Sequence, residues 1–241
     1  FKADDFKPDF ILGLEKDAVL LSKLIDEWEK IDIDPKLEVF KEKLNNEFFN
    51  ENNLQKKLII FSESLDTVNY LSKQLAGVNN DDKDDIIEEK LTNAKILSIS
   101  NKNRNSKYKI IDENFDANYP SEKEKKNGAI QKDDFNILIT TEVLAEGVNL
   151  HRSNFIIHYD TPWNSTKMMQ RIGRVNRIGT NAEFIYNYVF YPSAQGNNLI
   201  KLKNIALTKI QAFILLMERI TKYFQKKKFS KKIWFKIFTK M

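Results

Sequence analysis

The sequence predicts an α/β fold, a mostly parallel sheet with helices on both faces and helical extensions at the two ends. Three observations predict it. Short apolar runs of strand length recur along the chain: "LIIF", "AKILSIS", "FNILITT", "NFIIHYD" and "AEFIYNYVF". Amphipathic stretches with helical spacing lie between several of them, and strands alternating with helices are the mark of parallel pairing, because a parallel crossover needs a helix-length connection. The runs are apolar almost throughout instead of at every second residue, as strands covered on both faces require.

Composition sets the outer limits. The 241 residues are 41% hydrophobic and 30% charged, enough to bury a core of ordinary size. A net charge of +5 permits a polyanionic partner without demanding one. The chain has no cysteine, which removes disulfides and thiolate metal sites, and its two histidines, His151 and His158, are too few for a histidine-rich zinc site. No metal site is therefore expected. No apolar run approaches the roughly 18 residues of a membrane span. The N-terminus lacks the basic-then-apolar form of a leader, so a cytoplasmic location is expected. The chain opens on Phe1, which predicts a piece of a longer protein.

The elements follow in order. Residues 1–33 form a helical lead-in, with Ala18, Leu21, Leu24, Ile25 and Trp28 on one stripe. In "DPKLEVFKEKLNNEF" Asp34 is placed to cap and Pro35 suits the first turn, giving a second helix faced by Leu37, Phe40, Lys41 and Leu44. The run Leu58 to Phe61 is a strand. Ser62 or Ser64 then caps a helix carrying Leu65, Val68, Leu71 and Leu75. Residues 78–134 look like a variable insert: an acidic loop plus helix over 78–93, a strand over 94–100, a helix over 106–115, and a polar, mobile connection over 116–134. Strands follow at 135–141 and 154–160, then a helix with Met168, Met169, Ile172 and Val175, then a strand at 182–190. The α/β domain thus runs over 34–191. Residues 192–241 read as a helical, lysine-rich extension, beginning with a long amphipathic helix after Gly196. From Arg219 onward eight lysines alternate with aromatics and no acid appears. A nucleic-acid arm, a membrane-surface segment and a packed terminal helix with a solvated lysine face all fit that tail.

In open α/β sheets, function sits in the loops leaving the carboxyl ends of the strands. "TTEVLAEGVN" leaves one strand there, "DTPWN" leaves the next, and "QRIGRVNRIG" (170–179) lies one helix further on. Arg171, Arg174 and Arg177 are spaced three apart, so in a helix Arg174 and Arg177 point the same way. Guanidinium groups stay charged when partly dehydrated and offer a rigid fork of donors, which a phosphate clamp requires. A surface helix with acid-paired arginines explains the spacing equally well. Gly173 between two arginines suggests a close backbone approach by a ligand or a neighbouring strand, and Gly179 suggests the helix end. Thr140 and Thr141 place hydroxyls at a strand end beside Glu142 and Glu146, four apart, with Gly147 freeing the backbone. Asp160 is placed to cap its turn and Trp163 to pack under the arginine helix. His158, inside a strand, reads as a satisfied core histidine. No G-x-x-x-x-G-K-[ST] loop is present.

"KLIIFSESLDTVNYL", "ILITTEVLAEGVNL" and "IIHYDTPWNSTKMMQRIGRVNRIG" together resemble the C-terminal RecA-like lobe of superfamily 2 helicases, over residues 34–191. "YDTPWN" leading into "QRIGRVNRIG" looks most like the Swi/Snf-related double-stranded DNA translocases and their bacterial relatives. The resemblance implies a three-layer RecA-like domain forming half of an interlobe ATP site. Gln170, Gly173, Arg174 and Arg177 match the family's Q-x-x-G-R-x-x-R, which implies that Arg174 and Arg177 face the γ-phosphate and that Gln170 orders the cleft side. Glu146 and Gly147 then face the nucleotide, Thr140 and Thr141 the nucleic-acid backbone, and Ser62 makes a further backbone contact. Ser100, Lys102 and Arg104 are candidate nucleic-acid contacts in the region where the pattern departs from the family. The implied cofactors are ATP and Mg²⁺, with the Mg²⁺ ligands on the missing first lobe. The implied partners are that lobe and nucleic acid, double-stranded DNA above all. Phosphoryl transfer is positioning plus electrostatics, so this lobe alone is expected to hydrolyse little or no ATP. A non-catalytic nucleic-acid-binding or scaffold module derived from such a lobe is the alternative.

Overall fold

The computed structural model describes residues 8–76, 86–87, 95–162, 164–177, 179–180, 182–191, 204–205, 208–209, 211 and 232–238. The chain divides into two units, Phe1–Glu42 and Lys43–Met241.

The first unit holds α1 (Pro8–Glu29) and most of α2 (Pro35–Lys43). Asp34 caps α2 as its position predicts: its Oδ1 accepts from the backbone N–H of Lys36 at 2.9 Å and of Leu37 at 3.2 Å. Those are amides that the helix itself leaves unpaired. Leu37 and Phe40 are buried. The α1 stripe forms but stays open, with Leu21, Leu24, Ile25 and Trp28 exposed, Trp28 to 76%.

The second unit begins with a π-helical turn, Leu44–Phe48, whose Phe48 ring sits edge-on to Tyr188 at 4.9 Å. Among the described residues seven strands follow: β1 (Leu58–Phe61), β2 (Ile86–Ile87), β3 (Ile96–Ile99), β4 (Ile137–Thr140), β5 (Phe155–His158), β6 (Phe184–Phe190) and β7 (Lys232–Phe238). They form one sheet in the order β2-β3-β4-β1-β5-β6-β7, in which every pair is parallel except β2 with β3. All four residues of each of β1, β3, β4 and β5 are buried, so the continuous apolar runs do mark strands covered on both sides. The helix α3 (Leu65–Ala76) buries Val68, Leu71 and Leu75 and packs on β3 and β4. Ile111 and Phe115 of α4 (Arg104–Phe115) and Met168, Ile172 and Val175 of α6 (Ser165–Val175) share a core with Ile59, Leu97, Leu138 and Ile156. The result is a helix–sheet–helix sandwich. Ser64, not Ser62, starts α3, its Oγ accepting from the N–H of Asp66 at 3.1 Å.

Four expectations are corrected. The connection over 116–134 is tied down. It contains α5 (Glu122–Lys126), started by a reciprocal Ser121–Glu124 capping box. The fully buried Lys57 donates to the Phe135 carbonyl at 2.7 Å and pairs with Asp133 at 3.0 Å. Arg152 donates to the carbonyls of Asn114 and Lys132 and to Asp133 at 2.6 Å. A polar composition here supplies acceptors for two buried cations; burial still pushes the Lys57 ammonium below its ordinary pKa, against the pull of Asp133. Second, β2 lies inside the acidic stretch expected to be loop and helix; residues 78–85 and 88–94 lie outside the described residues. Third, the C-terminal tail is not wholly helical: Lys232–Phe238 pairs with β6 from Phe184↔Lys232 to Phe190↔Phe238. Ile233, Trp234, Phe235, Ile237 and Phe238 are β-branched or aromatic, and β6 would otherwise present a bare edge. Fourth, α4 starts at Arg104, two residues earlier than the spacing suggests. Of the long helix expected after Gly196, residues 204–205, 208–209 and 211 are described and helical. No helix among the described residues is long and apolar enough to cross a membrane.

Candidate functional site

The register aligns the carboxyl ends of four neighbouring strands, Ile99, Thr140, Phe61 and His158. The loops that leave them, together with α6, make one continuous rim. Asn164 starts α6, its Oδ1 accepting from the N–H of Thr166 at 2.9 Å. Met168, Arg171, Ile172 and Val175 fall on one face of the helix, and that face is buried.

Arg171 is consequently drawn into the core and is fully buried. Its Nη2 donates to Glu63 Oε1 and Glu142 Oε2, each at 2.5 Å, and its guanidinium lies 5.0 Å from the centre of the Phe61 ring. Nη1 faces His158 Nδ1 at 3.3 Å. Arginine only donates, so His158 Nδ1 is the acceptor; Nε2 carries the proton and donates to Asn187 Oδ1 at 2.9 Å. Burial first, and then the Arg171 charge, hold the His158 pKa down to about 3, against the Asn187 hydrogen bond. The imidazole is thus a neutral packing and hydrogen-bonding group, as its place in a strand suggests. Lys167, 3.7 Å from Glu63 and 3.9 Å from Glu142, supplies the second positive charge that makes the cluster neutral. Arg171 therefore bolts α6 to the loops after β1 and β4, and is the orienting member of the three arginines.

The other two arginines face outward. Arg174 is half-buried; its Nε is buried and makes no hydrogen bond among the described residues. Burial, followed by the charge of Arg177, lowers the Arg174 pKa, with Glu146 opposing. Arg177 lies beyond the helix, which ends at Val175 and not at Gly179: Asn176 N–H closes on the Ile172 carbonyl at 2.8 Å, and Thr180 Oγ1 takes up the Val175 carbonyl at 2.9 Å. Arg177 is exposed, with Nε on the Gly173 carbonyl at 3.3 Å and Nη1 on Asn149 Oδ1. Gln170 and Gly173 are exposed. A Cβ built on Gly173 meets nothing within 4 Å, so no strand among the described residues crowds it. Gly179 sits in the following turn at φ +102°, where a Cβ would lie 2.6 Å from Asn118 Oδ1.

Residues Glu142–Leu144 form a 3₁₀ turn. Gly147 has φ +81°, a conformation that side chains disfavour, and a Cβ there would lie 2.7 Å from Arg104 Nη2. Glu146 is exposed beside it. Arg104 is turned to this loop: its Nη2 donates to the Glu146 carbonyl at 2.9 Å. Thr141 is half-buried at the rim, Lys102 is exposed, and Ser100 is half-buried with its N–H on Asn103 Oδ1 at 2.8 Å. Two of the residues expected to contact nucleic acid have buried side chains. Ser62 is fully buried, its Oγ donating to Asp160 Oδ2 at 2.5 Å. Thr140 is fully buried, its Oγ1 on the Ile99 carbonyl at 3.2 Å. Asp160 thus ties β5 to β1. Trp163 lies outside the described residues. Sequence reasoning missed Glu63 and Asn149 as partners of the arginines; an acid directly after a strand run and an amide two residues past Gly147 were the available signals.

A three-layer α/β/α lobe built on a mostly parallel sheet defines the RecA-like class of fold. The helicase conserved C-terminal domain family matches residues 36–179, more than half the chain, and the chain belongs to that family, as a C-terminal RecA-like lobe of superfamily 2 helicases. A Bacillus subtilis (strain 168) protein described as an uncharacterized ATP-dependent helicase, YqhH, is 48% identical over 52 residues, 21% of this chain and 9% of that protein. A probable eukaryotic initiation factor 4A of Trypanosoma brucei brucei is 36% identical over 58 residues, 24% of this chain and 14% of that protein. The matched stretches are thus a small part of both relatives. The crystal structure of the C-terminal part of the Fun30 ATPase domain aligns with 81% of this chain and 53% of its own, at 16% identity and a TM-score of 0.50, a likeness of fold.

Proposed function

We propose that this chain is the second lobe of an ATP-driven helicase or double-stranded DNA translocase of the Swi/Snf-related group, and that it supplies Arg174 and Arg177 to an ATP site completed by a first lobe. The observation that carries the reading is the arginine pair itself. Two guanidiniums repel each other on one rim, only partly balanced by Glu146. A polyphosphate balances that charge. Among the described residues Gly173 leaves the space above the helix open to such a group, and Gln170, one turn before it, is exposed; Gly147 and Glu146 are assigned to the same nucleotide. ATP therefore fits the residues present. Bound there, it would supply the bond to be cleaved, while Arg174 and Arg177 hold the developing charge in place. For Mg²⁺ the case differs: no group of three or more acidic or histidine residues among the described residues is suited to hold a metal. Its ligands are assigned to the first lobe. Thr141, Ser100 and Lys102 lie along the ends of β4 and β3 and are assigned to a nucleic-acid backbone, whose phosphates carry no base information.

The reading is tested with the complete protein and duplex DNA and RNA as competing stimulants of ATP hydrolysis. Preferential stimulation by duplex DNA is the expected result. Stronger stimulation by RNA removes the translocase assignment. Hydrolysis indifferent to both leaves the rim as an arginine site without a nucleic-acid role.

A further inference from the structure

The loop Glu146–Asn149 is held from both ends of a single helix. At the start of α4, Arg104 Nη2 donates to the Glu146 carbonyl at 2.9 Å, and one turn later the Tyr108 hydroxyl donates to the Gly147 carbonyl. At its end, Asp116, which caps the helix and is 9% exposed, accepts from Asn149 Nδ2 at 2.9 Å through Oδ2. Asn149 Oδ1 in turn receives Arg177 Nη1. We propose that α4 is the positioning element of the arginine rim, with Asp116 and Asn149 as positioning residues that fix the direction of the Arg177 guanidinium.

The amide of Asn149 carries the constraint from Asp116 to Arg177. A carboxylate only accepts, so Asp116 must face the NH₂ side of that amide; Asn149 Oδ1 is thereby aimed away from Asp116 and towards the solvent rim. The orientation is not free to invert. Asp116 Oδ1 is itself engaged by the backbone N–H of Asn118 at 2.8 Å, which holds the carboxylate plane. Arg177 needs such an anchor because it lies outside α6. A long, exposed arginine forfeits rotamer entropy when ordered, and its bond to the Gly173 carbonyl leaves the outer nitrogens unaimed. α4 can carry the load since Ile111 and Phe115 are fully buried in the core. A polar chain thus runs from a core-anchored helix to the one exposed arginine beyond the helix end, and the same helix sets the height of the Gly147 loop beside it. Rigid support of this kind is what keeps a charged group within the tolerance a reacting phosphate needs.

The functional meaning rests on Arg177 facing a nucleotide; the positioning itself does not, and it is measured without one. The chain labelled with ¹⁵N-arginine gives a guanidinium Nη–Hη signal for Arg177, the group that meets Asn149, assigned by its loss in Arg177→Lys. In Asp116→Ala the signal is expected to move towards the position of a free arginine, with hydrogen exchange faster by about five- to tenfold, the size of one lost hydrogen bond. The double substitution Asp116→Asn with Asn149→Asp reverses the donor and acceptor but keeps every bond: residue 116 still accepts from Asn118 and now donates to a carboxylate that accepts from Arg177. It is expected to restore the signal. An unchanged Arg177 signal in folded Asp116→Ala, or no recovery in the double variant, overturns the proposal. If Asp116→Ala does not fold, Tyr108→Phe serves, since Tyr108 is 37% exposed and loses only a hydroxyl. A displaced Arg177 signal in that variant supports the strut, and no change refutes it. Should the spectra behave as expected while Arg177→Ala keeps its ATPase, the strut stands and the nucleotide reading falls.

Discussion

Substitution of Arg171 by leucine removes a fully buried guanidinium that contacts two carboxylates at 2.5 Å each. Breaking a buried pair by deleting one partner costs about 3–5 kcal/mol when the abandoned charge stays desolvated. Glu63 and Glu142 keep 27% and 34% of their side chains exposed and regain part of their hydration. The expected loss is therefore smaller, about 2–3 kcal/mol, or a melting temperature lowered by about 4–12 °C for a chain of this length. Lys167 approaches the same carboxylates but is 42% exposed and 3.7–3.9 Å away. Lys167→Met should cost no more than about 1 kcal/mol. Guanidinium denaturation of both variants separates the two cases. Adding Glu63→Gln and Glu142→Gln to Arg171→Leu should recover at least half of the loss, because the uncompensated charges are then gone. If Arg171→Leu costs less than about 1 kcal/mol, or the neutralised variant recovers nothing, Arg171 is not the bolt described above.

Three further outcomes follow from the same structure. His158 stays neutral in the fold down to about pH 3, whereas the unfolded chain takes up that proton near pH 6.5. Its contribution is therefore complete above about pH 6.5 and is lost as pH falls; urea unfolding of wild type should weaken by about 1.5 kcal/mol more than that of His158→Gln between pH 6.5 and 5, and equal slopes refute it. Gly147→Ala places a side chain at φ +81° and 2.7 Å from Arg104 Nη2; a loss of about 1–2 kcal/mol in thermal unfolding is expected, and a neutral result contradicts the positive-φ account. Lys102→Glu should weaken binding of duplex DNA by fluorescence anisotropy and flatten its salt dependence by about one unit. Ser62→Ala should leave that binding unchanged, and the reverse pattern would place the interface elsewhere.

The sheet was readable because a strand covered on both faces is apolar at every position, which is how "LIIF" and "NILI" stand out against helical spacing. β7 was not, because its lysines and aromatics suit an amphipathic helix nearly as well as a strand that needs an edge to pair with. Two strand-end hydroxyls are taken up by tertiary partners that the sequence does not show: Thr140 bonds the Ile99 carbonyl and Ser62 bonds Asp160, while Thr141 is half-buried and Glu63 exposed. The inward course of Arg171 was legible in its place between Met168 and Val175. Its partners were not, since Glu63 and Glu142 are brought together only by the β4-β1-β5 order. The extent of α6 was overread: Arg174 and Arg177 do come together, but through a turn closed by Thr180 rather than along one helical face. The contact of Arg177 with Asn149, and of Asn149 with Asp116, is tertiary: Asn149 stood out only as an amide two residues past Gly147, and nothing local marked Asp116.

The central claim is that Arg177 acts on a nucleotide. It is tested most directly by comparing the nucleic-acid-stimulated kcat of the complete protein with that of Arg177→Ala. A group that stabilises a transferring phosphoryl is worth about 10³ to 10⁵ in rate, so a fall of at least about 10³-fold, with the variant's melting temperature unchanged, is the predicted result. A loss of less than about tenfold contradicts the account.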